Sequence, residues 1–154
     1  MLTNKLLMFI FIHKGDNLMR ADNLPAEDLD LTNEANRKKI GLIIMRLFDH
    51  WSLTTEEQLS LLGLSPKSRA LLTKYRKGQA AINPGRDTLD RVGWLLAAHK
   101  ALRLLYPENE NIRYSWIKRR NKVFNNMTPL QVMITEGMIG VAKVSRYLDF
   151  QRGM

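Results

Sequence analysis

Residues 54–78, TTEEQLSLLGLSPKSRALLTKYRKG, constrain the fold most, because helix start and stop signals crowd into this one stretch. Thr54 with Glu57, and Thr55 with Gln58, are overlapping pairs in which a hydroxyl accepts a free helix N–H and the side chain three positions on reaches back. Leu59, Leu61 and Leu62 give the helix that follows an apolar side, and Gly63 supplies the backbone freedom for a sharp exit. Ser65 then caps a second helix with Pro66 in its first turn, where a missing N–H costs nothing. In that helix Ala70, Leu71 and Leu72 are expected to pack inward. Lys67, Ser68, Arg69, Thr73, Lys74, Arg76 and Lys77 form its polar face and end. Two short helices joined by a glycine, the second one basic, make a helix-turn-helix candidate. A plain helical hairpin with a solvated basic face has the same pattern.

The rest of the chain is also patterned for helix, so the expected fold class is all-α: a helix-turn-helix module followed by a compact C-terminal helical module. A helix from about Asn33 to His50 is marked by Ile40, Ile43, Ile44, Leu47 and Phe48 at helical spacing, with Trp51 and Leu53 covering the core beyond it. Its early cations Arg37, Lys38 and Lys39 are poorly placed for the helix dipole, which makes phosphate contact a candidate role beside simple solvation. Pro84 and Gly85 mark an internal joint. A long apolar helix follows from Asp87 or Thr88 through Tyr106, ended by Pro107. A short helix is expected over Ile112–Arg119 with Trp116 and Ile117 as anchors, then a turn over Asn121–Asn126. Thr128 with Pro129 starts another helix that ends at Gly137, and a last helix carries Val141, Val144, Tyr147 and Leu148. The expected division is an extension over 1–34, the helix-turn-helix domain over 35–84, the C-terminal domain over 85–150 and a tail over 151–154.

With 154 residues the chain can bury a core without staples, and it has no cysteine for a disulfide or a thiolate zinc site. A net charge of +9 and a pI near 10.0 favour a polyanion or an acidic protein surface as partner. His13, His50 and His99 lack ligand-like spacing, and no phosphate loop or nucleophile–base–acid set stands out, so neither cofactor, metal nor enzymatic activity is expected. The apolar run Leu6–Ile12 behind Lys5 is too short to span a bilayer and lacks a small-residue cleavage site, so no membrane association and a cytoplasmic location are expected. Lys14, Gly15 and Asp16 can be encoded by purine-rich bases like those of a ribosome-binding sequence, which suggests translation from Met19. Residues 20–34, polar and acidic with Pro25, read as a loop or a short irregular helix.

The passage NKVFNNMTPLQVMITEGMIGVAKVSRYLD resembles the toxin-binding domain of the MbcA, ParS and Xre-like antitoxins. The resemblance is carried by Trp116, Asn121, Phe124, Thr128 with Pro129, Gly137 and the Val141–Leu148 helix, and DRVGWLLAAHKALRLLYPENE is similar to the family's long helix. Trp51, Leu53, Gly63, Leu64 and Ser65 resemble the accompanying Xre-like helix-turn-helix. The resemblance implies an antitoxin of a type II system that blocks the active-site entrance of a RES-domain, NAD-degrading toxin and represses its own operon. It implies operator DNA and the cognate toxin as partners, and a homodimer or higher toxin–antitoxin complex.

On that reading Lys67, Ser68, Arg69 and Lys74 are the leading recognition-helix residues, Thr73 belongs to the same DNA-binding set, and Arg76 and Lys77 hold phosphate. Trp116, Phe124, Met127 and Tyr147 are candidate apolar anchors for the toxin, and Arg113, Lys118, Arg119, Arg120 and Lys122 are candidate steering charges. Two alternatives stay open: an antitoxin whose helix pair is only a scaffold, and a stand-alone helix-turn-helix regulator.

Overall fold

The computed structural model describes residues 30–153, all of them helix, turn or loop. The expectations for the start at Met19, the apolar run near the N terminus and the loop before residue 30 lie outside the described residues. Among the described residues seven α-helices follow in order: α1 Glu34–His50, α2 Thr55–Leu62, α3 Arg69–Arg76, α4 Arg86–Leu105, α5 Glu110–Ser115, α6 Pro129–Thr135 and α7 Met138–Gly153. Three short 3-10 turns, Pro66–Ser68, Trp116–Lys118 and Lys122–Phe124, connect them.

Most local signals act where the sequence places them, with two differences. The Thr55–Gln58 pair does not form, since Gln58 is drawn inward to Leu53 O, and Ser65 with Pro66 opens a 3-10 turn, so that α3 starts only at Arg69 with no side-chain cap. Asn33 caps α1, its side chain accepting from Ala35 N at 2.8 Å and Asn36 N at 3.3 Å. Thr54 and Glu57 form a reciprocal capping box on α2, and Thr128 and Gln131 form a second one on α6, with Pro129 in the first turn. Each such cap contributes about 1 kcal/mol by satisfying donors that the helix itself leaves free. Asn109 caps α5 through Ile112 N at 2.9 Å, which moves that helix's start ahead of the expected Ile112. The long helix begins at Arg86, a residue earlier than Asp87, with no side-chain cap.

α7 packs along α4 and against α6, and these contacts build the C-terminal module. α2 touches both α4 and α6, so the two modules share a core. Trp51, Phe48, Leu61, Leu95, Leu96 and Leu102 lie fully buried in it. Trp51 and Leu53 cover the junction as expected, at 1% and 8% exposure. One close approach has no sequence signal: a Cβ on Gly140 would lie 2.3 Å from the carbonyl oxygen of Val132, so α6 and α7 meet through a glycine.

Three expectations are corrected. Ala70 is exposed, because α3 buries Leu72 and Tyr75, and Ala70 stands on the opposite side of the helix. Residues 151–153 continue α7 as its last turn, because nothing in Gln151–Arg152 breaks the helix. Arg37 is taken up by the fold: its Nε donates to Ile82 O at 3.0 Å, and Nη1 donates to Leu31 O at 2.9 Å and Thr32 O at 2.7 Å. It fastens the lead-in and the Ile82 loop to α1, and Lys38 pairs with Glu34 at 3.2 Å.

Candidate functional site

The first candidate surface is the α2–turn–α3 unit. Gly63 adopts φ 67°, a left-handed conformation that a side chain would strain, while Leu64 N reaches back to Leu59 O at 2.8 Å and Gly63 N to Ser60 O at 3.1 Å. This closes α2 and sends the chain into the Pro66–Ser68 turn, where Ser65 Oγ accepts from Lys67 N at 3.2 Å. α3 then presents its faces at about 100° per residue. Leu72 and Tyr75 fix the buried side, and burial raises the Tyr75 phenol above its usual pKa. Ala70, Thr73, Lys74 and Lys77 fall within a stripe about 100° wide on the opposite side. All four are exposed, as is Lys67 in the preceding turn.

The two arginines of this helix lie at one border of that stripe and turn back onto the protein. Arg69 pairs with Glu56 of α2, whose carboxyl is held below its usual pKa by a helix N–H and then by the Arg69 charge. Arg76 reaches Asp49 at 2.8 Å and donates to Gln58 Oε1 at 3.0 Å, bridging α1, α2 and α3. Gln58 is itself buried and donates to Leu53 O at 2.9 Å. Lys67, Thr73, Lys74 and Lys77 have no side-chain partner among the described residues. Ser68 is half-buried in the 3-10 turn. Of the sequence-derived set, the fold thus gathers Thr73, Lys74 and Lys77 on one outward stripe, leaves Lys67 exposed in the turn before it, and ties Arg69 and Arg76 internally.

The second candidate surface is built on the segment from α5 to α7. Asn121 shapes its loop: its side chain accepts from Val123 N at 3.0 Å, its N–H donates to Met127 O at 3.1 Å, and its carbonyl accepts from Asn126 N at 3.0 Å. Asn125 and Asn126 turn the chain at φ 55° and 62°, a conformation asparagine tolerates better than most residues. This loop drives Phe124 inward to 3% exposure, where it meets the Tyr147 ring edge-on at 5.2 Å. Tyr147 in turn stacks with Trp116 at 6.2 Å. Trp116, Met127 and Tyr147 are half-buried and reach the surface, whereas Phe124 supports them from the core.

Arg113 departs from its expected role as a surface charge. It is buried, and its guanidinium donates to Tyr106 O at 3.3 Å and Pro107 O at 2.7 Å, holding the turn between α4 and α5. Arg119, Arg120 and Lys122 are exposed beside the aromatic set, with Arg119 Nε donating to Ser115 Oγ at 3.0 Å. Lys118 bridges the modules by donating to Ser52 O at 2.6 Å. Leu104, Val123, Ile139 and Phe150 are large, apolar and exposed, and none of them was in the sequence-derived toxin-binding set. For Ile139 and Phe150 a signal existed, since neither shares the stripe of Val141, Val144 and Leu148 along α7.

Among the described residues no cluster of three or more metal-ligating side chains occurs, and no helix is long and apolar enough to cross a membrane.

Two separate domains are recognisable by comparison with known families. Residues 28–97 match the antitoxin Xre-like helix-turn-helix domain, and residues 101–153 match the antitoxin Xre/MbcA/ParS C-terminal toxin-binding domain. The chain is also 34% identical over 108 residues to y4oB, an uncharacterised protein of Sinorhizobium fredii, spanning 70% of this chain and 80% of that one. The chain belongs to the Xre/MbcA/ParS antitoxin family. No solved structure matches it. The boundary between the two antitoxin domains falls within α4, which explains why that helix is apolar on more than one side: α2 covers part of it and α7 another. The second surface described above lies wholly within the toxin-binding domain, and the first within the helix-turn-helix domain.

Proposed function

We propose that this antitoxin neutralises a RES-domain, NAD-degrading toxin by covering its active-site entrance, and represses its own operon through the α2–α3 unit. The observation that carries this reading is the pairing in one chain of a helix-turn-helix with an outward lysine stripe and a toxin-binding domain. Inhibition of this kind needs no catalysis. An apolar centre with a charged rim suffices, and Trp116, Met127 and Tyr147 beside Arg119, Arg120 and Lys122 offer one. Phe124 supports that surface from beneath through Tyr147, while Arg113 holds the turn between α4 and α5. On the DNA side Lys67, Lys74 and Lys77 supply phosphate contacts, and the outward face of α3 lies in the major groove.

Co-expression with the neighbouring reading frame tests the toxin half: growth rescue and co-purification are expected, together with restored cellular NAD. If the chain neither binds nor relieves that product, the reading is lost. Salt-dependent binding to the protein's own promoter tests the other half, since preference over scrambled DNA is expected. The internal pairing of Arg69 and Arg76 favours one competing reading, in which the helix pair is a scaffold without an operator. Equal affinity for promoter and scrambled DNA would select it.

A further inference from the structure

Resting on the operator reading above, we infer that Ala70 is a specificity-determining residue that reads the 5-methyl group of a thymine in the major groove. Three observations converge on it. Ala70 stands opposite the buried Leu72–Tyr75 side, which puts its methyl at the crest of the helix that would enter the groove. The crest is small, so the backbone of α3 can approach the base edges closely, with Lys74 and Lys77 flanking it and Thr73 beside it. The two arginines, whose planar forks suit bidentate guanine contacts best, are diverted, Arg69 to Glu56 and Arg76 to Asp49 and Gln58.

What remains at the centre of the reading face is a methyl group. In the major groove its one complementary base feature is the thymine methyl, an apolar contact that alanine and threonine make. The lysines around it anchor phosphates without distinguishing sequence. The recognition stripe therefore combines strong positioning with an apolar reading of A·T pairs, and Thr73 extends the same contact through its own methyl.

The test uses the full chain and its own promoter. Footprinting first locates the protected half-site, and each thymine within it is then replaced singly by deoxyuracil, which removes only the methyl. At one position the wild-type protein should lose affinity by about fourfold, the worth of burying one methyl group. Ala70→Gly and Ala70→Ser should bind the thymine and uracil versions alike, with thermal unfolding confirming that each variant is folded. The inference is overturned if no thymine methyl matters to the wild-type protein, or if the methyl effect persists undiminished in both variants. Absence of any footprint would overturn the operator reading together with this one, whereas a footprint indifferent to every methyl overturns this inference alone.

Discussion

Replacing Gly140 with alanine tests the packing of the toxin-binding domain at its tightest point. The added Cβ would stand 2.3 Å from the Val132 carbonyl oxygen, 3.0 Å from the Val132 carbonyl carbon and 2.9 Å from the Glu136 Cβ. Two of those three atoms are backbone, so no side-chain rotation relieves the clash. α6 and α7 must part by about 1 Å, a displacement comparable to inserting an extra methylene into a packed core, which costs roughly 1–3 kcal/mol. Alanine returns about 1 kcal/mol through its better helix propensity. With the upper part of that range, about 2–3 kcal/mol, taken for a backbone contact of 2.3 Å, the net expectation is a loss of about 1–2 kcal/mol, or roughly 2–8 °C in the midpoint of thermal unfolding for a chain of this size. Thermal and urea unfolding followed by circular dichroism measure it. Gly153→Ala is the control, because a Cβ there meets nothing within 4 Å, and it should be neutral or slightly stabilising. A Gly140→Ala protein as stable as the parent would refute the claim that α6 and α7 are held at glycine distance.

Four further outcomes are expected. Thr128→Ala, which removes the α6 capping box, should cost about 1 kcal/mol, read as a lower urea midpoint with unchanged slope. Arg76→Ala should lower thermal stability by releasing the Asp49 and Gln58 contacts while leaving the salt slope of promoter binding unchanged; Lys77→Ala should reduce that slope by about 1 and leave stability alone. A reversed pattern would reassign the two residues. Arg113→Met should destabilise the turn between α4 and α5, since Tyr106 O and Pro107 O lose their donor, and a toxin-binding defect without loss of stability would restore Arg113 as a surface charge. His99 is held near pKa 3, mainly by burial and then by the Arg103, His50 and Arg113 charges, against 6.5 for the free side chain. Below pH 6.5 the unfolded chain therefore takes a proton that the fold refuses, and stability falls toward pH 3 by up to about 1.4 kcal/mol per pH unit. His99→Leu should flatten that part of the profile in urea titrations, and identical profiles would refute the assignment.

The two candidate surfaces were legible unevenly. Thr73, Lys74 and Lys77 follow from helical spacing once α3 is recognised, and the Trp116, Tyr147 and Met127 group follows from the resemblance at the C-terminal motif. Ala70 was misplaced because Ala70, Leu71 and Leu72 form an apolar run, and the run hides which side Tyr75 selects. Phe124 was read as an anchor because an aromatic in a loop carries no mark of burial. Its inward turn depends on the Asn121 hydrogen bonds and on Tyr147, which lies far along the chain. The outward positions of Ile139 and Phe150 were readable from the α7 stripe.

The amino-acid sequence by itself determined the number and order of the helices and the ends that carry a capping box, a proline or a left-handed glycine, because these act through partners a few residues away. The starts of α3 and α5 and the end of α7 differed from the expectation. It also determined the family, whose marks are local strings. Only the tertiary structure decided which cations face outward. Arg37, Arg69, Arg76 and Arg113 all look like surface charges in one dimension, yet each finds acceptors on a neighbouring turn or helix. A guanidinium on a long, flexible stem goes to whichever acceptors the fold brings within reach, and for Arg37 at Ile82 and Arg76 at Asp49 those lie tens of residues away.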